Sequence, residues 1–182
     1  IFDIGTPKGY FADEKNKEGM EKGATKCYIP ATTILLDLAK KHAGQFKLAF
    51  SITGTALEQM DQYAPQALAK LQELNDTGCV EFLTETYHHS LSYLFDKNEF
   101  VRQVKLHQKA IRNRFGQKPT VFRNTELVYF NELGGFVEQM GFKGVLAEGA
   151  DHILGWRSPN FVYHAKTTKK VTKQIQAWNF HF

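Results

Sequence analysis

Long apolar runs are missing from this chain. No stretch exceeds a few residues, so none can cross a bilayer as a helix, and no membrane partner is expected. Cysteine is scarce: Cys27 and Cys79 fit neither a CxxC pair nor a disulfide framework. Two reduced, partly buried thiols of a cytoplasmic protein are the expectation. The opening IFDIG lacks a charged segment followed by an apolar one, which speaks against a signal peptide, and it lacks an initiator Met. The chain is therefore expected to be cut from something longer. The glycines of GQFKLAFSITGT form neither GxGxxG nor a Walker loop, so nucleotide binding has little support. The net charge is +4, but its lysines are dispersed. The densest basic stretch, HAKTTKKVTKQ (164–174), reads as a solvated loop or edge strand, and no nucleic-acid partner is expected.

What is present suits one globular domain, or a large piece of one, because 182 residues at 42% hydrophobic content support a sizeable core. Fifteen Phe, seven Tyr and two Trp leave aromatic surface to spare for flat ligands such as sugar rings. Residues 6–26 are charged and Gly-rich and read as an excursion ending in a short helix. Pro30 opens the next helix, which Gly44 stops. A strand follows at 46–53, then helix over about 55–74 with a break near Pro65, and a strand at 79–85. Asp96 to Glu99 form a candidate capping box for a helix reaching Phe115, with Gly116 as its stop. TVFRN is a strand, 129–140 a helix closed by Gly141, FKGVLAE a strand, and NFVYHA a last short one. This β-α alternation, with strands too apolar to face water on either side, predicts an α/β fold of parallel strands covered by helices. A barrel and an open doubly wound sheet both fit, and both put active sites at the carboxyl ends of the strands.

Those ends are unusually polar. Ser51 and Thr53 close the first strand, Glu85 the second, Arg123 to Glu126 the third and Glu148 the fourth. His88 and His89 follow Glu85, and Asp151, His152 and Trp156 follow Glu148. Any one of these carboxylates, taken singly, reads as the acidic first residue of a helix. Their recurrence in successive βα units points instead to a shared site. Glu81, inside a strand, needs a partner or a hydrated cavity. Two carboxylates about 5–5.5 Å apart support retaining glycoside hydrolysis, and Arg123 would keep one of them ionised. On the residues alone, Glu126 pairs with either Glu85 or Glu148, while Trp156 and the tyrosines stack on sugar. Metal chemistry fits less well: no HxxH, HxxxH or HExxH occurs, and adjacent His88 and His89 cannot both enter one site from a regular strand. No GxSxG elbow supports a Ser-His-Asp triad.

Three stretches, GCVEFLTETYHHSL (78–91), VFRNTELVYFNELGG (121–135) and GFKGVLAEGADHILGWRSPNFVY (141–163), resemble glycoside hydrolase family 57 in its α-amylase-like branch. The likeness extends to KCYIPATTILLDLAKKH and FKLAFSITGTALEQM. It implies an incomplete (β/α)7-type barrel, retaining chemistry on α-1,4-glucans or maltooligosaccharides, and neither metal nor other cofactor. The family's second motif falls on Gly78, Val80, Glu81, Tyr87 and His89. Its third motif carries the nucleophile, which aligns with Glu126. Arg123, Asn124, Thr125 and Leu127 replace the usual flanking residues, leaving substrate and linkage open.

The resemblance makes residues 1–182 part of one catalytic barrel. Its first motif, His-Gln-Pro, would lie ahead of Ile1, and the acid/base Asp beyond Phe182. Glu126 is then the catalytic residue, and Glu81, Glu85, His89, Arg123, Glu148 and Trp156 are expected to bind or support the substrate. The fragment alone is expected to be inactive. A polysaccharide deacetylase on a related barrel and a non-catalytic glucan-binding relative are the competing readings.

Overall fold

The structure, a computed structural model, describes residues 11–42 and 44–164, with the backbone of 175–176. The basic stretch 165–174 lies outside the described residues. Two compact units divide the chain: Ile1–Phe82 with Lys109–Gln117, and Leu83–Gln108 with Lys118–Phe182.

The first unit is mainly helical. Helix α1 (Asp13–Gly23) runs through a π turn (Ala24–Tyr28) into α2 (Ile29–Lys41). Of the excursion expected over 6–26, residues 6–10 lie outside the described residues, and the short helix expected at its end runs over Asp13–Gly23. Internal glycines cost a helix only about 1 kcal/mol each, and burial of Met20 and Ala24 in the core offsets that. The π turn sits just ahead of Pro30, which has no N–H to offer the Lys26 carbonyl four residues back. Helix α3 (Gly54–Tyr63) is capped by Thr53, whose Oγ1 accepts from the Ala56 N–H at 3.0 Å. Pro65 starts α4 (Pro65–Asp76) after a one-residue break.

Strands β1 (Leu48–Phe50) and β2 (Val80–Phe82) pair in parallel, Ala49 opposite Glu81. Both of those residues are exposed, which corrects the expectation of strands buried on both faces. Glu81 keeps its hydration and needs no buried partner. Phe82, fully buried, stacks on Phe115 with ring centroids 3.9 Å apart. Of the two cysteines, both free, Cys79 is buried and Cys27 exposed, so only one matches the expected burial.

Helix α5 (Lys97–Phe115) contributes its residues through Gln108 to the second unit and Lys109 onward to the first. Asp96 caps it, Oδ1 accepting from the N–H groups of Asn98 (2.8 Å) and Glu99 (3.2 Å). The reciprocal half of the expected capping box does not form. The Asp96 N–H donates to Ser92 O instead, and Glu99 grips Arg102 through two charge-assisted hydrogen bonds.

In the second unit β3 (Val121–Arg123) pairs in parallel with β4 (Gly144–Leu146), and Thr84 makes a parallel bridge to Phe122. Helix α6 (Asn131–Gln139) and the short α7 (Asp151–Leu154) follow β3 and β4 respectively. β5 (Val162–Tyr163) pairs antiparallel with β6 (Ile175–Gln176), a strand the sequence reading did not contain and an exception to its all-parallel pattern. Phe122 is fully buried between Phe100 and Phe142 in an aromatic core that also holds Tyr93. That core fixes the ends of β3 and β4, where the polar residues gather. Among the described residues, no helix is long and apolar enough to cross a membrane.

Candidate functional site

Beyond Phe82 the chain makes its single bridge at Thr84 and then turns. Glu85 is 1% exposed, a position no carboxylate occupies without compensation. Its Oε2 lies 3.1 Å from His89 Nδ1 and 3.9 Å from Arg123 Nη1, the second an ion pair too long to be a hydrogen bond. The other imidazole nitrogen, Nε2, lies 2.9 Å from Oε1 of Glu126. One imidazole therefore bridges a buried carboxylate and one that is 70% exposed. An ionised carboxylate can only accept, so each bridge carries one proton.

The backbone that delivers these groups is strained. His89, Glu126 and Leu127 have φ of 53°, 53° and 57°, in the left-handed region that costs an L-residue about 1–2 kcal/mol. Glu126 lies in a 3₁₀ turn (Thr125–Leu127) and not in helix α6, whose own first-turn acid is Glu132. Strain of this kind persists only where surrounding bonds over-determine it, and here they do. Asn124 Nδ2 donates to Val128 O at 2.9 Å, and the Leu127 N–H to Asn124 O at 3.0 Å. The Glu148 N–H donates to Leu127 O at 3.2 Å, tying the end of the β4 segment to the same turn.

The two turns are also laced to each other. Buried Thr125 donates its hydroxyl to Ser90 O at 2.9 Å. Buried Thr86 sits 3.1 Å from Thr125 Oγ1 and accepts from the Ser90 N–H at 2.8 Å. From α5, Gln103 Oε1 accepts from the His88 N–H (3.2 Å) and from Ser90 Oγ (3.0 Å).

Of the residues expected from the sequence, the structure brings together Glu85, His89, Arg123 and Glu126. Arg123 is directed at Glu85, and the group in contact with Glu126 is His89. Glu148 joins the site through its backbone, while its side chain is exposed. Trp156 is 95% exposed, just after α7. Glu81 belongs to the other compact unit. His88, next to His89, is exposed and packs edge-on against Tyr87.

Thr86, Ser90 and Gln103 were missed, and Thr125 was named at the strand end without a role. The signal for two of them was a run of hydroxyl residues, Thr84, Thr86 and Ser90, around a carboxylate in an otherwise apolar stretch. Tyr129, three residues past Glu126, has its hydroxyl pushed above its ordinary range by burial. Among the described residues, no three His, Cys, Asp or Glu side chains converge as a metal-binding group.

A family model for glycosyl hydrolase family 57 matches residues 5–176. A "Putative alpha-amylase" of Methanocaldococcus jannaschii is 41% identical over 163 residues, covering 89% of this chain and 34% of that protein. The chain thus spans about a third of the length of this curated relative. Among solved structures, the 4-alpha-glucanotransferase of Thermococcus litoralis superposes with a TM-score of 0.69 at 18% identity, covering 87% of this chain and 24% of that one. The alpha-amylase AmyC of Thermotoga maritima gives 0.67 at 13% identity, covering 98% of this chain and 44% of that one. At these identities the structural likeness is one of fold.

Proposed function

Because the chain belongs to glycosyl hydrolase family 57, we propose that it is part of the catalytic barrel of a retaining glycosidase or glucanotransferase acting on α-1,4-glucans. The described architecture of parallel strands and covering helices is then one portion of an incomplete (β/α)7-type barrel. Glu126 attacks the anomeric carbon to form a glycosyl-enzyme, and the bond to the departing sugar breaks as an acid protonates its oxygen. The same acid, as its conjugate base, then activates the water or glucan that releases the product. That acid/base is assigned to a segment of the protein outside these residues.

The single observation that carries this reading is the placement of Glu126. It is the exposed carboxylate of a strained strand-end turn, with one oxygen held by His89 at 2.9 Å. Glu85 suits the complementary part. Buried and tied to His89 and Arg123, it is in no position to protonate a departing sugar, and it orients the imidazole instead. Glu81, Glu148 and Trp156 are assigned to sugar contacts, Trp156 by stacking its exposed ring. Family membership favours this chemistry over the deacetylase and the non-catalytic alternatives.

The test is to trap the intact protein with a mechanism-based fluoroglycoside and map the labelled peptide. Label on Glu126 is expected. Label on any other residue would overturn the assignment.

A further inference from the structure

Gln103 does not belong to any motif singled out in the sequence, yet its amide reaches both neighbours of His89. It is 5% exposed on α5. Its Oε1 accepts from the backbone N–H of His88 at 3.2 Å and from Ser90 Oγ at 3.0 Å. Its Nε2 donates to Glu99 Oε1 at 2.8 Å, and Glu99 is itself gripped by Arg102. The carbonyl end of the amide therefore brackets the one residue in this loop with left-handed backbone, and the nitrogen end anchors the amide to its own helix.

We propose that Gln103 is a positioning residue for the His89–Glu126 pair, acting from α5 by holding the left-handed turn at His89. The proposal rests on the reading of Glu126 as nucleophile. Left to itself, a His at φ 53° gains by relaxing to the right-handed or extended region. Such a relaxation swings the side chain away, and with it the 2.9 Å contact that fixes the Glu126 carboxylate. Thr86 and Thr125 restrain the loop from the strand side through Ser90, but the His88 N–H is gripped by Gln103. The alternative is that Gln103 merely fills buried space in the fold.

A double-mutant cycle in the intact protein separates the two. Gln103→Met keeps the length of the side chain and removes every amide hydrogen bond. Gln103→Glu keeps an acceptor for His88 and Ser90, loses the donor to Glu99 and sets a second carboxylate beside it. Each is made alone and with His89→Ala. The readouts are kcat and KM on a maltooligosaccharide and the rate of Glu126 labelling by a fluoroglycoside. Gln103→Met is expected to lower kcat and the labelling rate about 10- to 100-fold with KM nearly unchanged, as a misplaced catalytic group does. Gln103→Glu is expected to lower kcat and the labelling rate several-fold, less than Gln103→Met, because the acceptor stays but the anchor to Glu99 becomes a repulsion. In the His89→Ala background, neither substitution at 103 is expected to cost anything further, because the residue it positions is gone.

Losses that add in the double variants, or a Gln103→Met protein with wild-type kcat, would overturn the proposal. Thermal melts check that each variant folds, and should Gln103→Met fail to fold, Gln103→Glu carries the same cycle. Label found away from Glu126 is a different result: it removes the nucleophile reading itself.

Discussion

Both compact units contain left-handed backbone, and they use it differently. In the first, every described residue with positive φ is a glycine: Gly44, Gly78 and Gly116. In the second, besides Gly141 and Gly155, His89, Glu126 and Leu127 adopt it. Buried polarity follows the same division. The first unit buries Asn16, Thr32, Thr55 and Gln59, whereas the second buries Thr84, Glu85, Thr86, Gln103, His107, Asn124 and Thr125. Strain carried by glycine only turns the chain, but strain carried by His and Glu needs a lattice of hydrogen bonds to hold it. The second unit therefore accepts local cost to present particular side chains, as sites do.

The largest expected effect on stability tests the foundation of that arrangement. Phe122 is fully buried, with Phe100 and Phe142 at centroid distances of 5.6 and 5.5 Å, and it precedes Arg123 directly. Phe122→Ala is expected to cost about 3–5 kcal/mol in denaturant unfolding. Leu57→Ala, at a 1% exposed core position of the first unit, is expected to cost about 2–5 kcal/mol. The comparison predicts that only Phe122→Ala also slows fluoroglycoside labelling of Glu126, measured where both variants remain folded. Equal slowing by both would erase the functional distinction between the units.

How much of this was legible in the sequence follows from the range of the forces involved. Pro65, Asp96 and Gly116 mark helix ends through local backbone chemistry, and all three do so in the structure. Glu126 stood out at a strand end, where a carboxylate is conspicuous after an apolar run. The His89 bridge was hidden because it joins residues 37 apart in sequence through two non-glycine left-handed turns, conformations that residue type argues against. Gln103 was hidden for another reason. A Gln on a helix reads as solvated surface, although its place between Phe100 and His107 on the buried stripe of α5 was a usable signal. The strand β6 at Ile175–Gln176 is too short to carry a periodic pattern.

A reciprocal pair of substitutions sharpens the contrast in backbone strain, at smaller cost. Gly78 has φ 69°, and a Cβ built on it meets nothing within 4 Å, so Gly78→Ala introduces left-handed strain and no clash. Its expected cost is about 1–2 kcal/mol. Glu126→Gly runs the other way when set against Glu126→Ala, which loses the same His89 contact: it relieves that strain while adding the greater chain entropy of glycine, for a net gain over the Ala variant of roughly 0.5–1 kcal/mol. The same change removes the proposed nucleophile, so the more stable variant is expected to be inactive. Thermal unfolding and turnover, measured together, check both halves. Stability in Glu126→Gly no higher than in Glu126→Ala would mean that the turn is not strained at Glu126.

The smallest expected effect compares one exposed ion pair from each unit. Arg114 grips Asp61 in the first unit, and the guanidinium hydrogen bonds hold that carboxyl below its ordinary range. In the second, the hydrogen bonds from Arg102, and then from Gln103, hold Glu99 down to about 2. A depressed carboxyl stabilises the folded state above its unfolded pKa, about 4.3 for Glu, and that contribution is lost as pH falls through the folded value. The stability gap between wild type and Glu99→Gln is therefore expected to narrow as pH falls from about 5 toward 2. Asp61→Asn is expected to show a similar narrowing over the acid range. Salt should shrink both gaps, since these pairs face solvent. The pairs part company in function. Glu99 also anchors Gln103, so Glu99→Gln at neutral pH is expected to lower kcat several-fold through the loosened His89 turn, while Asp61→Asn leaves kcat unchanged. Acid unfolding curves with parallel assays decide this, and equal kcat in the two variants would leave Glu99 as a surface ion pair with no link to the site.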